Sequence, residues 1–242
     1  SAQYLAYYEE ALDQLPEPSA EHDIPTDYGV VRVYEWSAPA TAETTPVVLV
    51  PGRSSGVPMW SENLPGFIED RRVLPLAACG EAGRSVQSAP LNGVEDQAAW
   101  MDEVIGQRAP EGGHLVGLSC GGATAAAYAR LHPERVSSLA LLEPVFTFAS
   151  PPSEMMWWAM VTTLPGLPEG IRDYALRQIA GSDEDEAGGD NSDPVALMIA
   201  AATEHFSAEL PTPSPLSDEQ AAQLTMPVYV AIAGKDSLAG GQ

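Results

Sequence analysis

Basic residues and cysteines are what this sequence has least of. Eleven lysines and arginines stand against 34 aspartates and glutamates, for a formal net charge of −23. A surface of that sign repels a nucleic-acid backbone and an anionic bilayer, so neither nucleic acid nor membrane is expected as a partner, and solubility is the ordinary meaning of the charge. Cys79 and Cys120 are the only thiols. The pattern places them on strands that are not neighbours, so neither a bridge nor a disulfide framework is expected. No run approaches the roughly 20 apolar residues that a membrane span needs. What remains is a chain able to bury a core: 45% apolar over 242 residues suits one large α/β domain with room for an inserted subdomain. It begins Ser1-Ala2-Gln3, without a methionine, which leaves a removed leader open; a cytoplasmic setting is the expectation.

The stretch 114–129, HLVGLSCGGATAAAYA, organises the rest. Gly117-Leu118-Ser119-Cys120-Gly121 has the G-x-S-x-G spacing, in which the chain reverses so sharply that a side chain at either glycine would clash. A pentapeptide of this kind arises by chance in roughly one chain in ten of this length, so its context decides. An apolar strand precedes it, a helix of glycines and alanines follows, and Pro133 stops that helix. Such a turn lifts the Ser119 hydroxyl clear of a sheet and aims the Cys120 N–H at the space above it, which suits a developing oxyanion.

On either side, strand and helix signals alternate. Residues 3–15 read as an amphipathic opening helix ended by Pro16, 28–36 as an edge strand, and 46–50 (PVVLV) as a strand buried on both faces. Helix over 59–70, strand over 72–77, helix over 94–108, the elbow strand, and strand over 136–142 complete a doubly wound, mostly parallel sheet. The alternation then stops. Residues 146–215 carry Met155, Met156, Trp157, Trp158 and Met160, two further helical stretches and an acidic loop over 183–193. They are expected to form an inserted helical cap between a first core segment, 1–145, and a second, 216–242. The sheet pattern returns at 227–233. Asp183, Asp185 and Gly188 fit positions 1, 3 and 6 of a calcium loop, but Ala187 and Pro194 bring no side-chain oxygen to positions 5 and 12; a solvated loop is the reading instead.

These markers, in this order, resemble the α/β-hydrolase superfamily, specifically its capped bacterial esterases and hydrolases. Leu49-Val50-Pro51-Gly52 with Trp60, Gly80-Glu81-Ala82-Gly83-Arg84-Ser85, the elbow, His132-Pro133-Glu134-Arg135-Val136, and Gly234-Lys235-Asp236 stand where those proteins carry their own landmarks. Two departures are local. Pro51 replaces a histidine that braces the oxyanion loop, leaving the Arg53 backbone donor in place, and Ala77 replaces an aspartate. A third concerns the catalytic histidine. The resemblance implies one on a loop after the last strand, and none of His22, His114, His132 or His205 matches it, although His205 on a cap helix could face the site. The expectation is therefore a further strand, helix and histidine beyond the 242 residues.

The resemblance implies a serine hydrolase that cleaves a carboxylic ester or similar small acyl compound through an acyl-enzyme at Ser119, without metal or organic cofactor. Arg53 and Cys120 would supply the oxyanion N–H groups. Two carboxylates compete to orient the histidine: Asp236, placed first, which follows the last strand signal one residue short of the usual spacing, and Glu143, which ends the strand over 136–142. Met155, Trp157 and Trp158 would line an apolar acyl pocket. The alternatives are a carbon–carbon bond hydrolase or perhydrolase using the same serine, and a non-catalytic member that only binds a ligand. The oligomeric state is left open.

Overall fold

Short runs of valine and leucine build the centre of the sheet, because both of its faces are covered. The computed structural model describes residues 2–162, 164, 166–180, 193–234 and 238–239. Strands β3 (Val47–Val50), β4 (Val73–Pro75), β6 (Gly113–Leu118), β7 (Val136–Leu142) and β8 (Val228–Ala231) form a parallel sheet in the order β4-β3-β6-β7-β8. The remaining strands, β1 (Ala20–Thr26), β2 (Gly29–Glu35) and β5 (Val86–Gln87), form a separate antiparallel sheet in the order β1-β2-β5. It is tied to β4 through bridges at Val33–Leu76 and Trp36–Val73. The strand expected at an edge over 28–36 is thus the middle of three. Its partner β1 contains Pro25, which hides a strand from a pattern search because proline cannot donate to a ladder.

Helices cover both faces of the parallel sheet. On one, α3 (Val94–Arg108) and α4 (Cys120–Leu131) bring Trp100, Met101, Ala125, Ala126 and Tyr128 onto Val48, Val50, Leu115 and Leu139. On the other, α2 (Leu64–Asp70), the 3₁₀ turn Val57–Trp60 and the end of α1 (Ala2–Leu12) pack Leu64, Trp60 and Leu12 against Val47, Leu49 and Val116. Successive residues of β3 therefore feed opposite cores, as the period-2 pleat demands.

Beyond β7 lie α5 (Ser153–Thr162), α6 (Glu169–Ala180) and α7 (Pro194–His205), within the segment expected to form the cap. Here α5 packs on α6, and α7 packs on α1 through Met198, Ala201 and Ala202 against Tyr4, Tyr8 and Ala11. Asp193 caps α7, its carboxylate accepting from the Val195 N–H at 3.0 Å, with Pro194 at the first helical position. The short α8 (Asp218–Ala221) starts with a reciprocal Ser217–Gln220 capping box. The rest of the acidic loop, 183–192, lies outside the described residues. At the sheet's edge, Val228, Tyr229 and Val230 of β8 are 37% to 64% exposed. No helix among the described residues is long and apolar enough to cross a membrane.

Candidate active site

Strand β6 runs straight into α4, and Ser119 is the single residue between them. It sits at φ 53°, ψ −124°, a conformation that a β-carbon makes costly and that persists only where the surroundings dictate it. The surroundings are backbone. The Ser119 N–H donates to the Leu142 carbonyl at the end of β7 at 2.9 Å, and the Ser119 carbonyl accepts from the Gly122 N–H at 2.9 Å. Both flanking glycines are required: a β-carbon on Gly117 would lie 2.7 Å from the Gly121 carbonyl oxygen, and one on Gly121 would lie 2.2 Å from that of Pro51. The half-buried Ser119 side chain thus stands on a strained turn that two glycines and two hydrogen bonds hold in place.

A second loop, residues 51–56, meets it from β3. Gly52 is so close that a β-carbon there would lie 3.3 Å from the Ser119 β-carbon. The loop turns through left-handed backbone at Ser54 (φ 59°) and Gly56 (φ 57°), with the Ser55 hydroxyl donating to the Gly52 carbonyl at 2.7 Å. Among the described residues, neither the Arg53 N–H nor the Cys120 N–H donates to a backbone carbonyl. Cys120 opens α4, whose first N–H groups carry the positive end of the helix dipole. The arrangement brings a hydroxyl, a helix N-terminus and the loop over 51–56 together at one place.

The two thiols lie on neither strand expected for them. Cys79 is in the loop after β4, Cys120 begins α4, and both are free. Burial pushes the Cys79 thiol up to about 11, its hydrogen bond with the Gly80 backbone opposing, and burial likewise raises Cys120 against the pull of Arg53. Thiols held above the ordinary cysteine range are poor nucleophiles at neutral pH, which leaves Ser119 the better candidate.

Of the two candidate acids, Asp236 lies outside the described residues. Glu143 follows β7 at φ 47°; its N–H donates to the Ala231 carbonyl at 2.8 Å, and its carboxylate accepts from the Ala233 N–H. It stitches the ends of β7 and β8 together. His22 bonds Glu35 at 2.8 Å, the His114 Nδ1 lies 2.8 Å from the Ser138 hydroxyl, and His132 stacks on Tyr128. His205 is exposed at the end of α7. On α5, Trp157 is 56% exposed, Met155 is half-buried, and Trp158 meets Tyr174 edge-on at 5.2 Å. None of these three lines the cleft beside the elbow, which is formed by Arg53, Glu81, Cys120, Thr124 and Leu210 among others. Among the described residues no group of His, Cys, Asp or Glu is arranged to hold a metal ion.

Sequence reasoning passed over Glu81. A glutamate inside Gly80-Glu81-Ala82-Gly83 reads as a solvated loop residue, yet its side chain is only 10% exposed and faces Arg53. Gly80 at φ 83° is the signal that the loop folds inward there.

Known proteins place this geometry. A model described as the alpha/beta hydrolase fold matches residues 45–186, more than half of the chain. A Bacillus subtilis protein named as the uncharacterized carboxylesterase nap is 28% identical over 145 residues, covering 60% of this chain and 47% of its own length. The carboxylesterase YbfK of the same organism is 27% identical over 143 residues, with coverages of 59% and 47%. The chain thus spans about half the length of the curated relatives it matches. The crystal structure of naproxen esterase (carboxylesterase NP) from B. subtilis superposes with a TM-score of 0.80 at 21% identity, over 95% of this chain and 79% of that one. Carboxylesterase CesB (YbfK) superposes at 0.81 over the same shares. At such identity, the likeness establishes the fold.

Proposed function

This chain belongs to the alpha/beta hydrolase fold family, and on that premise we propose that it is a serine hydrolase cleaving carboxylic esters of small acyl compounds. One observation carries the reading: Ser119, at φ 53° on the turn from β6 into α4, has Gly52 packed against it, and in this reading the next loop amide, Arg53, and the first amide of α4, Cys120, are the oxyanion donors. In this mechanism the Ser119 oxygen attacks the ester carbonyl carbon while a histidine takes its proton. The carbonyl oxygen becomes an oxyanion that the two amides stabilise, a contribution worth roughly 10² to 10³ in rate for a single donor. The alcohol leaves with the histidine's proton. Water then cleaves the acyl-enzyme, releasing the acid and restoring Ser119. The residues named need neither metal nor organic cofactor; Met155, Trp157 and Trp158, on α5, lie outside the cleft beside the elbow and have no part in this step.

The histidine in this reading comes from chain that would extend the sheet past β8, whose Val228 and Val230 are 40% and 37% exposed at the rim. Natural sheets cover such edges, and the matched relatives are about twice as long as the matched stretch. Engagement of His22, His114 and His132 elsewhere favours a second reading, a ligand-binding member without turnover. The test uses the product of the whole reading frame that contains these residues. A fluorophosphonate is expected to add one phosphonyl group to the intact protein and none to Ser119→Ala, with hydrolysis of p-nitrophenyl esters and none of vinylogous diketones. No mass gain, or equal labelling of both proteins, defeats the hydrolase reading; diketone cleavage moves it to carbon–carbon bond hydrolysis.

A further inference from the structure

We infer that Glu81 is a positioning residue for this chemistry: reaching across from the loop after β4, it fixes residues 53 and 54 so that the Arg53 amide is held at Ser119. The inference rests on the hydrolytic reading above and names a part that reading does not require.

The 51–56 loop does not hold its own shape. Ser54 at φ 59° occupies a region that is costly for a non-glycine residue, so outside contacts must over-determine it. Its internal ties are short-range: the Ser55 hydroxyl bonds the Gly52 carbonyl at 2.7 Å, and the Gly52 N–H and Ser55 hydroxyl meet the Met59 sulfur at 3.4 and 3.0 Å. Tyr8 of α1 packs beneath Gly56, where a β-carbon would lie 3.0 Å from its ring. Among the described residues, Glu81 is the one polar side chain from outside this stretch that bonds residues 52–56. One carboxylate oxygen accepts from the Ser54 N–H at 3.1 Å, and the other pairs with the Arg53 guanidinium at 3.4 Å. The first contact anchors the Arg53–Ser54 peptide, one unit beyond the Gly52–Arg53 peptide that carries the Arg53 N–H, and the second tethers the Arg53 side chain on the same side. Pro51 has no side chain that could do so from the other end.

A carboxylate is an expensive brace. The Glu81 side chain is 10% exposed against 41% for Arg53, so the acid pays most of the desolvation while its partner stays in water. Burial raises its pKa, with the Ser54 amide and Arg53 pulling the other way. An uncharged side chain would fill the same space without that cost, so a purely structural role leaves the charge unexplained. Glu81 also shares the cleft beside the elbow with Arg53, Cys120 and Gly121.

The experiment compares wild type, Glu81→Gln and Glu81→Ala in the product of the whole reading frame. Three quantities are read: steady-state constants on a p-nitrophenyl ester, Tm, and deuterium exchange of residues 52–56. Glu81→Gln keeps an acceptor for the Ser54 amide but loses the ion pair; kcat is expected to fall roughly tenfold with KM within about twofold, while Tm holds or rises. Glu81→Ala is expected to lower kcat about 10²-fold, the size of a lost oxyanion donor, and to speed exchange of the loop amides at least about tenfold. Unchanged loop exchange in Glu81→Ala, or a kcat loss that merely follows a fall in Tm, overturns the inference. Wild type that labels at Ser119, with kcat unaltered in both variants, sinks the inference alone. Wild type that neither labels nor turns over sinks the hydrolytic reading, and the positioning role falls with it.

Discussion

Gly121 lies directly under the Pro51 carbonyl: a β-carbon on Gly121 would stand 2.2 Å from the Pro51 oxygen and 2.6 Å from the Val50 oxygen. The helix that follows Ser119 and the loop that carries Arg53 therefore meet backbone to backbone, with no side chain between them. Gly121→Ala must push these segments apart or unwind the first turn of α4. We expect it to cost about 3 kcal/mol, lowering Tm by roughly 6 to 12 °C for a chain of this size, and to abolish fluorophosphonate labelling. Gly66 in α2 provides the control, because a β-carbon there meets nothing within 4 Å. Gly66→Ala is expected to raise stability by about 0.5 to 1 kcal/mol through helix propensity. Equal effects of the two substitutions in thermal melts would show that the close approach is not what Gly121 serves.

A second prediction concerns the Glu35 cluster, which pins the antiparallel sheet to the parallel one. Its carboxylate, 11% exposed, pairs with Arg72 at 2.7 Å, Arg108 at 2.6 Å and His22 at 2.8 Å, drawing together β1, β2, the entry to β4 and the end of α3. Burial works to raise its pKa, but the hydrogen bonds from Arg72, Arg108 and His22 prevail and lower it from 4.5 to about 2. A carboxylate held below its unfolded value stabilises the fold fully above that unfolded value and loses the contribution as pH falls toward the folded one. Glu35→Gln is expected to cost about 3 kcal/mol at pH 7, the low end for breaking a buried ion pair. In denaturant titrations the gap to wild type should hold from pH 7 to about 5 and close between 4.5 and 2. A gap that stays constant down to pH 2 would refute this account.

How much of this could be read from the residues follows from which forces act locally. The elements expected over 94–108 and 136–142 match α3 and β7 to the residue, because an acidic first turn and a short run rich in valine and leucine are local signals. The elbow was equally visible, since its glycines answer to backbone clashes one turn away. Strand β1 was not, as Pro25 and the consecutive polar residues Glu21, His22 and Asp23 mask a strand whose pairing comes from β2. The buried role of Glu81 depends on Arg53 and Ser54, nearly 30 residues earlier, and no periodicity in either loop encodes it. The same holds for Glu35, whose three partners, His22, Arg72 and Arg108, lie far apart in the sequence.

The remaining prediction asks which carboxylate orients the histidine, and the end of β7 bears on it. Glu143 gives its N–H to the Ala231 carbonyl and takes the Ala233 N–H on its carboxylate, so its side chain is committed to shaping the turn that leaves β8. That is the work of a brace, and on the proposed hydrolase reading we propose Asp236, three residues past Ala233, as the orienting acid. Asp236→Asn is then expected to lower turnover on the order of 10⁴-fold with Tm unchanged, as loss of the orienting carboxylate does in serine proteases. Glu143→Gln keeps an oxygen for the Ala233 amide and should leave turnover nearly intact. Glu143→Ala removes that acceptor and should cost about 1 to 2 kcal/mol of stability. Kinetics and melting curves on the three variants decide between the assignments. A 10⁴-fold loss in Glu143→Gln beside a mild Asp236→Asn would move the acid to the end of β7, where its left-handed backbone at φ 47° would then be aiming the carboxylate at the site instead of at β8.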